Sequence, residues 1–178
     1  ESKVNFDYGL IRNHYVGRTF IEPTQNIRQF GVRLKHSANS LVVKNKSILL
    51  IDDSLVRGTT AIKIVRMLFD SGAKEVHLRV ASPPIKFSDY YGIDTPEQNS
   101  LLAATHSLEE MCDFIGCTTL KFLSIGGLYK ALGQEKRDDN NPQFTDHCFT
   151  GDYPVQPVDQ LNQFEKNNQL SLLSNVRF

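Results

Sequence analysis

The sequence predicts an α/β fold in which a mainly parallel sheet is flanked by helices. Three observations carry this. The apolar run Ile48-Leu49-Leu50-Ile51 reads as a buried strand. The stretch beyond it places Ala61, Ile62, Val65, Leu68 and Phe69 at helical spacing, so an amphipathic helix follows. Gly72 then suits a left-handed helix cap, and Val76, Leu78 and Val80 resume a strand. Two strands joined through a helix are parallel, with a right-handed crossover.

The other elements fit around this unit. Phe6, Tyr8, Leu10 and Ile11 alternate enough for a first strand. Arg12-Asn13-His14-Tyr15-Val16-Gly17-Arg18-Thr19-Phe20-Ile21 follows, which reads as a plain strand and turn or as a cationic segment with a glycine pivot, suited to folding over a polyphosphate. Pro23 opens a helix with Ile27, Phe30 and Leu34 on one face and Arg28, Arg33 and Lys35 on the other. After the second parallel strand, in which His77 reads as structural, Ser82-Pro83-Pro84-Ile85 stiffens a loop at the carboxyl edge of the sheet. Ser107-Leu108-Glu109-Glu110 is a capping box for a helix through Met111, Phe114 and Ile115. Thr119 to Leu123 reads as a further strand, and Gly126 to Leu132 as a short helix. Residues 134–143 form a solvated polar linker without core residues, the stretch from Cys148 to Pro154 a compact loop, and Val158, Leu161 and Phe164 a last helix. The expected division is a domain over 1–133, the linker 134–143, and a C-terminal extension over 144–178.

Composition narrows the class. A chain of 178 residues supports one full core. Its 20 basic and 20 acidic side chains cancel, which argues against nucleic acid or a membrane surface as the main partner. With no long apolar run or signal-like start, a soluble, cytoplasmic protein is expected. The odd count of three cysteines, Cys112, Cys117 and Cys148, fits reduced thiols rather than a disulfide framework.

The chemistry concentrates in Asp52-Asp53-Ser54-Leu55-Val56-Arg57-Gly58-Thr59-Thr60, at the carboxyl end of the first parallel strand. Open parallel sheets bind their ligands there. Gly58, Thr59 and Thr60 open the helix, so free N–H groups, two hydroxyls and the positive end of the helix dipole converge on a point suited to a phosphate monoester. Asp52 and Asp53 would repel that phosphate, and they serve sugar hydroxyls, a hard cation such as Mg2+, or both. No Gly-Lys-Ser/Thr follows, which excludes a nucleoside-triphosphate P-loop.

This stretch resembles the phosphoribosyl pyrophosphate (PRPP) motif of the type I phosphoribosyltransferases. Tyr15 to Ile21, Ala81-Ser82-Pro83-Pro84, Tyr91-Gly92-Ile93-Asp94 and Cys148-Phe149-Thr150-Gly151-Asp152-Tyr153-Pro154 narrow the likeness to the C-terminal half of the amidophosphoribosyltransferase family. The resemblance implies the type I phosphoribosyltransferase fold, its first strand missing from this fragment. It implies that Asp52 and Asp53 hold the ribose hydroxyls and Mg2+, and that Ser54, Leu55, Val56, Arg57, Gly58, Thr59 and Thr60 complete the PRPP site. Residues 12–36 would be a flexible loop that orders on PRPP. Within it Arg18 and Tyr15 would be catalytic, and Tyr15 and Ile21 would wall an ammonia passage. Ser2 would be a trace of the pyrophosphate loop and a metal ligand.

The reaction implied is displacement of pyrophosphate from PRPP by ammonia to give phosphoribosylamine, the first step of de novo purine synthesis. Ammonia would come from an upstream glutaminase domain, purine nucleotides would inhibit, and the full-length protein would be a homo-oligomer. Some members hold an iron–sulfur cluster on four cysteines. The corresponding places here carry Asp89, Thr145 and Cys148, so no cluster is expected. Two alternatives share the loop: a base phosphoribosyltransferase, for which no base-recognition segment is found, and a non-catalytic PRPP-sensing regulator.

Overall fold

The computed structural model describes residues 3–12 and 36–155. Its central sheet has three strands, β3 (Ser47–Asp52), β4 (Glu75–Val80) and β5 (Thr119–Phe122), in the spatial order β3-β4-β5 and all parallel. A separate antiparallel pair, β1 (Leu10–Arg12) and β2 (His36–Ala38), lies earlier in the chain. The helices are α1 (Ser40–Val43), α2 (Thr59–Asp70), α3 (Leu102–Thr105), α4 (Leu108–Ile115), α5 (Ile125–Ala131) and α6 (His147–Thr150). Each parallel strand is followed by a helix, the α/β pattern the periodicities predict.

Periodicity also explains the core. In β4 the residues Val76, Leu78 and Val80 alternate inward and are buried, while Glu75, His77 and Arg79 face the other way. Against that buried face α2 sets Ala61, Ile64, Val65 and Leu68, and α4 sets Met111 and Ile115. Burying each such aliphatic side chain is worth about 1.5–3 kcal/mol. The opposite face is open among the described residues: Leu49 is 43% exposed and Ile51 68%.

The helix ends were legible. Gly72 sits at φ 91°, and the N–H groups of Gly72 and Ala73 return to the carbonyls of Phe69 and Leu68, a Schellman turn that only a left-handed residue closes. Ser107 and Glu110 form the predicted capping box in full. His77 is structural, with Nδ1 2.9 Å from Thr119 Oγ1.

Three expectations change. The N-terminal strand is confined to Leu10–Arg12, and Phe6 and Tyr8 are exposed rather than packed. The stretch from Cys148 begins in a one-turn helix, not a loop. Within the polar linker Arg137 is not solvated: it donates to both carboxylate oxygens of Asp146, at 2.7 and 3.1 Å, and to Asp139 and Asp152 at 2.8 and 2.6 Å. Tyr129, itself buried, donates its hydroxyl to Asp146 at 2.9 Å. A second pair lies beside it, with His147 Nε2 2.6 Å from Asp89 Oδ2 and both side chains buried. The N–H groups of Tyr91 and Ile93 also donate to Asp89.

Burial alone would raise the carboxyls of Asp89 and Asp146. Their donors outweigh it and hold both below the usual carboxylate range. A depressed folded-state pKa supplies stability above the unfolded value of about 3.9 and loses it as pH falls through the folded value. Chemical denaturation across pH should therefore show stability declining only below about pH 4 from this source. Arg137→Met, which leaves the Asp146 carboxylate buried without its cation, should cost about 3 kcal/mol at neutral pH in the same measurement.

Candidate functional site

The loop between β3 and α2 is built by close packing beneath and open polar groups above. Asp52 ends β3, half-buried, and its carbonyl accepts the N–H of Ala81 at 2.9 Å, which ties it to the end of β4. Asp53 is exposed. Its N–H donates to Asp52 Oδ1 at 3.1 Å, and its own Oδ1 accepts the Ser54 hydroxyl at 3.1 Å. Leu55 is 3% exposed and belongs to the core. The Val56 carbonyl accepts the N–H of Leu102 at 2.9 Å, fixing the loop to the start of α3.

Gly58 then turns the chain into α2 at φ 74°, in the left-handed region. It is buried, and a Cβ there would lie 2.9 Å from Leu102 Cδ2 and 3.5 Å from the Phe114 ring. The left-handed conformation demands glycine, and a Cβ would also displace the end of the Leu102 side chain. Since Gly58 has no side chain, no side-chain cap closes the helix start. The N–H groups of the first turn stay available beside the exposed Thr59, Thr60 and Arg57.

Charge is divided along the loop. Burial pushes the Asp52 carboxyl above its ordinary range and the Asp53 charge adds to this, against the Asp53 N–H and His36, which lower it. An ionised Asp52 is thus held at a cost, which a cation shared with Asp53 would relieve. Two adjacent carboxylates suit Mg2+, which takes one or two carboxylates and completes its shell with water and ligand phosphates. No group of three or more His, Cys, Asp or Glu side chains able to enclose a metal occurs among the described residues.

Asp52 to Thr60 run from the carboxyl end of β3 into the first turn of α2. Leu55 enters as a structural anchor in the core, and Val56 is half-buried. Ser2, Tyr15, Arg18 and Ile21 lie outside the described residues. The ends of the predicted loop do appear, with Arg12 facing His36 across the β1–β2 pair. The sequence reading missed Leu102 and Phe114, which brace Gly58. A buried glycine opening a helix signals close approach of something, without saying from where.

With this geometry in place, sequence comparison is decisive. The chain is 58% identical over 175 residues to an amidophosphoribosyltransferase of Rhizobium etli, covering 98% of this chain and 35% of that protein. The chain is homologous to the amidophosphoribosyltransferases. It is 55% identical over 156 residues to a chloroplastic member from Arabidopsis thaliana (88% of this chain, 27% of that one), and 50% over 153 residues to the Bacillus subtilis protein (86% and 32%). A solved B. subtilis glutamine PRPP amidotransferase complexed with ADP and GMP superposes with TM-score 0.69 at 51% identity, over 83% of this chain and 32% of that chain. A second structure, described as the allosteric regulatory enzyme of purine biosynthesis, gives TM-score 0.72 at 48% identity over 86% and 33%. No protein-family model matches the chain. The chain spans about a third of the length of these relatives. The fold is that of the type I phosphoribosyltransferases.

Two substitutions separate packing from charge. Gly58→Ala should lower stability by about 1–3 kcal/mol in a denaturant titration, from left-handed strain plus the Leu102 clash. Asp52→Asn should raise the thermal midpoint of the unliganded chain at neutral pH. The raised folded-state pKa means that the penalty is full above that value and vanishes below the unfolded value of about 3.9, so the two midpoints should converge in acid.

Proposed function

We propose that this chain is the phosphoribosyl-transferring part of a glutamine PRPP amidotransferase, forming 5-phosphoribosylamine and pyrophosphate from PRPP and ammonia at the entry to purine synthesis. The observation that carries it is the divided loop: the adjacent carboxylates Asp52 and Asp53 at the end of β3, then a left-handed glycine opening α2 with its N–H groups free. One end suits ribose hydroxyls and a cation, the other a 5′-phosphate. The identity of 47–58% to named amidophosphoribosyltransferases supports the choice of reaction.

In this reading Arg57, Gly58, Thr59 and Thr60 bind the 5′-phosphate, and Ser54 orients Asp53 through the hydroxyl it donates. Asp52 and Asp53 hold the ribose hydroxyls and Mg2+, which when bound supplies positive charge toward the pyrophosphate. The ammonia nitrogen forms its bond to the anomeric carbon as the bond to pyrophosphate oxygen breaks, and a proton leaves the new amine. Ammonia needs no general base, so the protein contributes positioning, electrostatics and exclusion of water.

The same proposal assigns Arg18 and Tyr15 to the catalytic loop, Tyr15 and Ile21 to an ammonia passage, and Ser2 to the metal. It takes ammonia from a glutaminase domain in a cytoplasmic homo-oligomer. Purine nucleotides are inhibitors, in keeping with the ADP and GMP bound in the B. subtilis relative. No helix among the described residues is long and apolar enough to cross a membrane.

Calorimetric titration with PRPP and Mg2+ tests the site. Asp53→Asn should weaken Mg2+-dependent binding by roughly tenfold or more, the loss of one charge-assisted contact, and unchanged affinity would remove Asp53 from the site. Pyrophosphate release tests the reaction, with ammonium, orotate and purine bases offered in turn. Release with ammonium supports the proposal, and release only with a base overturns it. Binding with no release under any acceptor would favour a PRPP sensor.

A further inference from the structure

At the C-terminus of α4, Gly116 takes φ 75° and ends the helix. The N–H of Cys117 returns to the Cys112 carbonyl at 3.3 Å, and that of Gly116 to Asp113 at 3.1 Å. These are the two hydrogen bonds of a Schellman turn, which sets the fourth-last helical side chain, here Cys112, against the residue after the glycine. That contact is ordinarily apolar. Here it joins two thiols, with Sγ atoms 3.5 Å apart and Cys112 Sγ also 3.2 Å from the Cys117 carbonyl.

A disulfide needs about 2.05 Å between sulfurs and Cα atoms about 4.4–6.8 Å apart. The Cys117–Cys112 main-chain hydrogen bond holds the two backbones close, so side-chain rotation can complete the approach. We propose that Cys112 and Cys117 are a redox-active dithiol, a modification site that takes a low-molecular-weight disulfide as its oxidant.

The two thiols differ in access, which sets the order of events. Cys112 is half-exposed and Cys117 buried. Burial, reinforced by Cys112, pushes the Cys117 thiol up to about 12, so it starts protonated. The Cys112 thiolate attacks one sulfur of the disulfide RSSR, forming a mixed disulfide and expelling RS⁻. Cys117 then gives up its proton to the expelled thiolate and attacks the Cys112 sulfur, expelling the second RS⁻. The sum is two protein thiols and RSSR becoming one protein disulfide and two RSH, with two electrons passing to the oxidant. Cys148 makes no sulfur–sulfur contact among the described residues and serves as an internal control.

The test equilibrates the 178-residue chain with graded ratios of oxidised to reduced glutathione, then alkylates free thiols and measures intact mass and peptide linkage. The expected species is a monomer lighter by about 2 Da before alkylation, linked Cys112 to Cys117, with Cys148 alkylated and full reversal by dithiothreitol. Cys117→Ser should stop at a glutathione adduct on Cys112, and Cys112→Ser should react at neither position. No reaction of the unsubstituted chain, a stable adduct on Cys112 without ring closure, a bridge to Cys148, or a bridge between chains would each overturn the proposal.

Discussion

The carboxyl edge of the sheet depends on how closely the backbone at Gly58 approaches Leu102. The glycine is gripped from beneath by Leu102 and the Phe114 ring, while the Val56 carbonyl is held by the Leu102 N–H. With the loop fixed on its underside, its polar groups need not organise themselves. The first turn of α2 can leave its N–H groups unmade at the surface, a state tolerated where water or an anion completes them.

The acidic half of the loop follows a different logic. Asp52 is raised by burial and by its acidic neighbour, so the empty site is less stable than one with a neutral residue there. The cost is tolerable because Asp52 ends a strand whose other inward residues, Ile48 and Leu50, pack against the core. On the proposed reading, a cation and a sugar bound there would relieve part of this cost. The divided charge that identifies the loop in the sequence has a thermodynamic counterpart in the fold.

Much of this was legible because local rules decide it. The strand, loop and helix around Asp52 to Thr60 follow from period, turn residues and caps, none of which need distant contacts. What braces the loop was not legible, since Leu102 lies 44 positions beyond Gly58 and sequence alone does not say which apolar residue meets which glycine. Arg137 was misread for a similar reason. In a stretch rich in charge an arginine reads as solvated, and only the fold brings Asp146 and Asp152 to it. Phe6 and Tyr8 failed in the other direction, because alternation shows that a strand could form, not that a partner lies beside it.

The C-terminal segment shows how charge can hold what an apolar core does not reach. Asp89, on the loop after β4, meets His147 of α6, while the N–H groups of Lys86 and Phe87 donate to the Cys148 carbonyl. The Tyr153 hydroxyl reaches the Ser88 carbonyl. These contacts join the loop after β4 to the segment around α6. In this chain the join is polar, and Cys148 lies among acids: burial, then the charges of Asp89 and Asp146, push its thiol upward. The polar join thus raises this thiol mainly by taking it out of water, and only secondarily through the Asp89 charge that anchors the loop to α6.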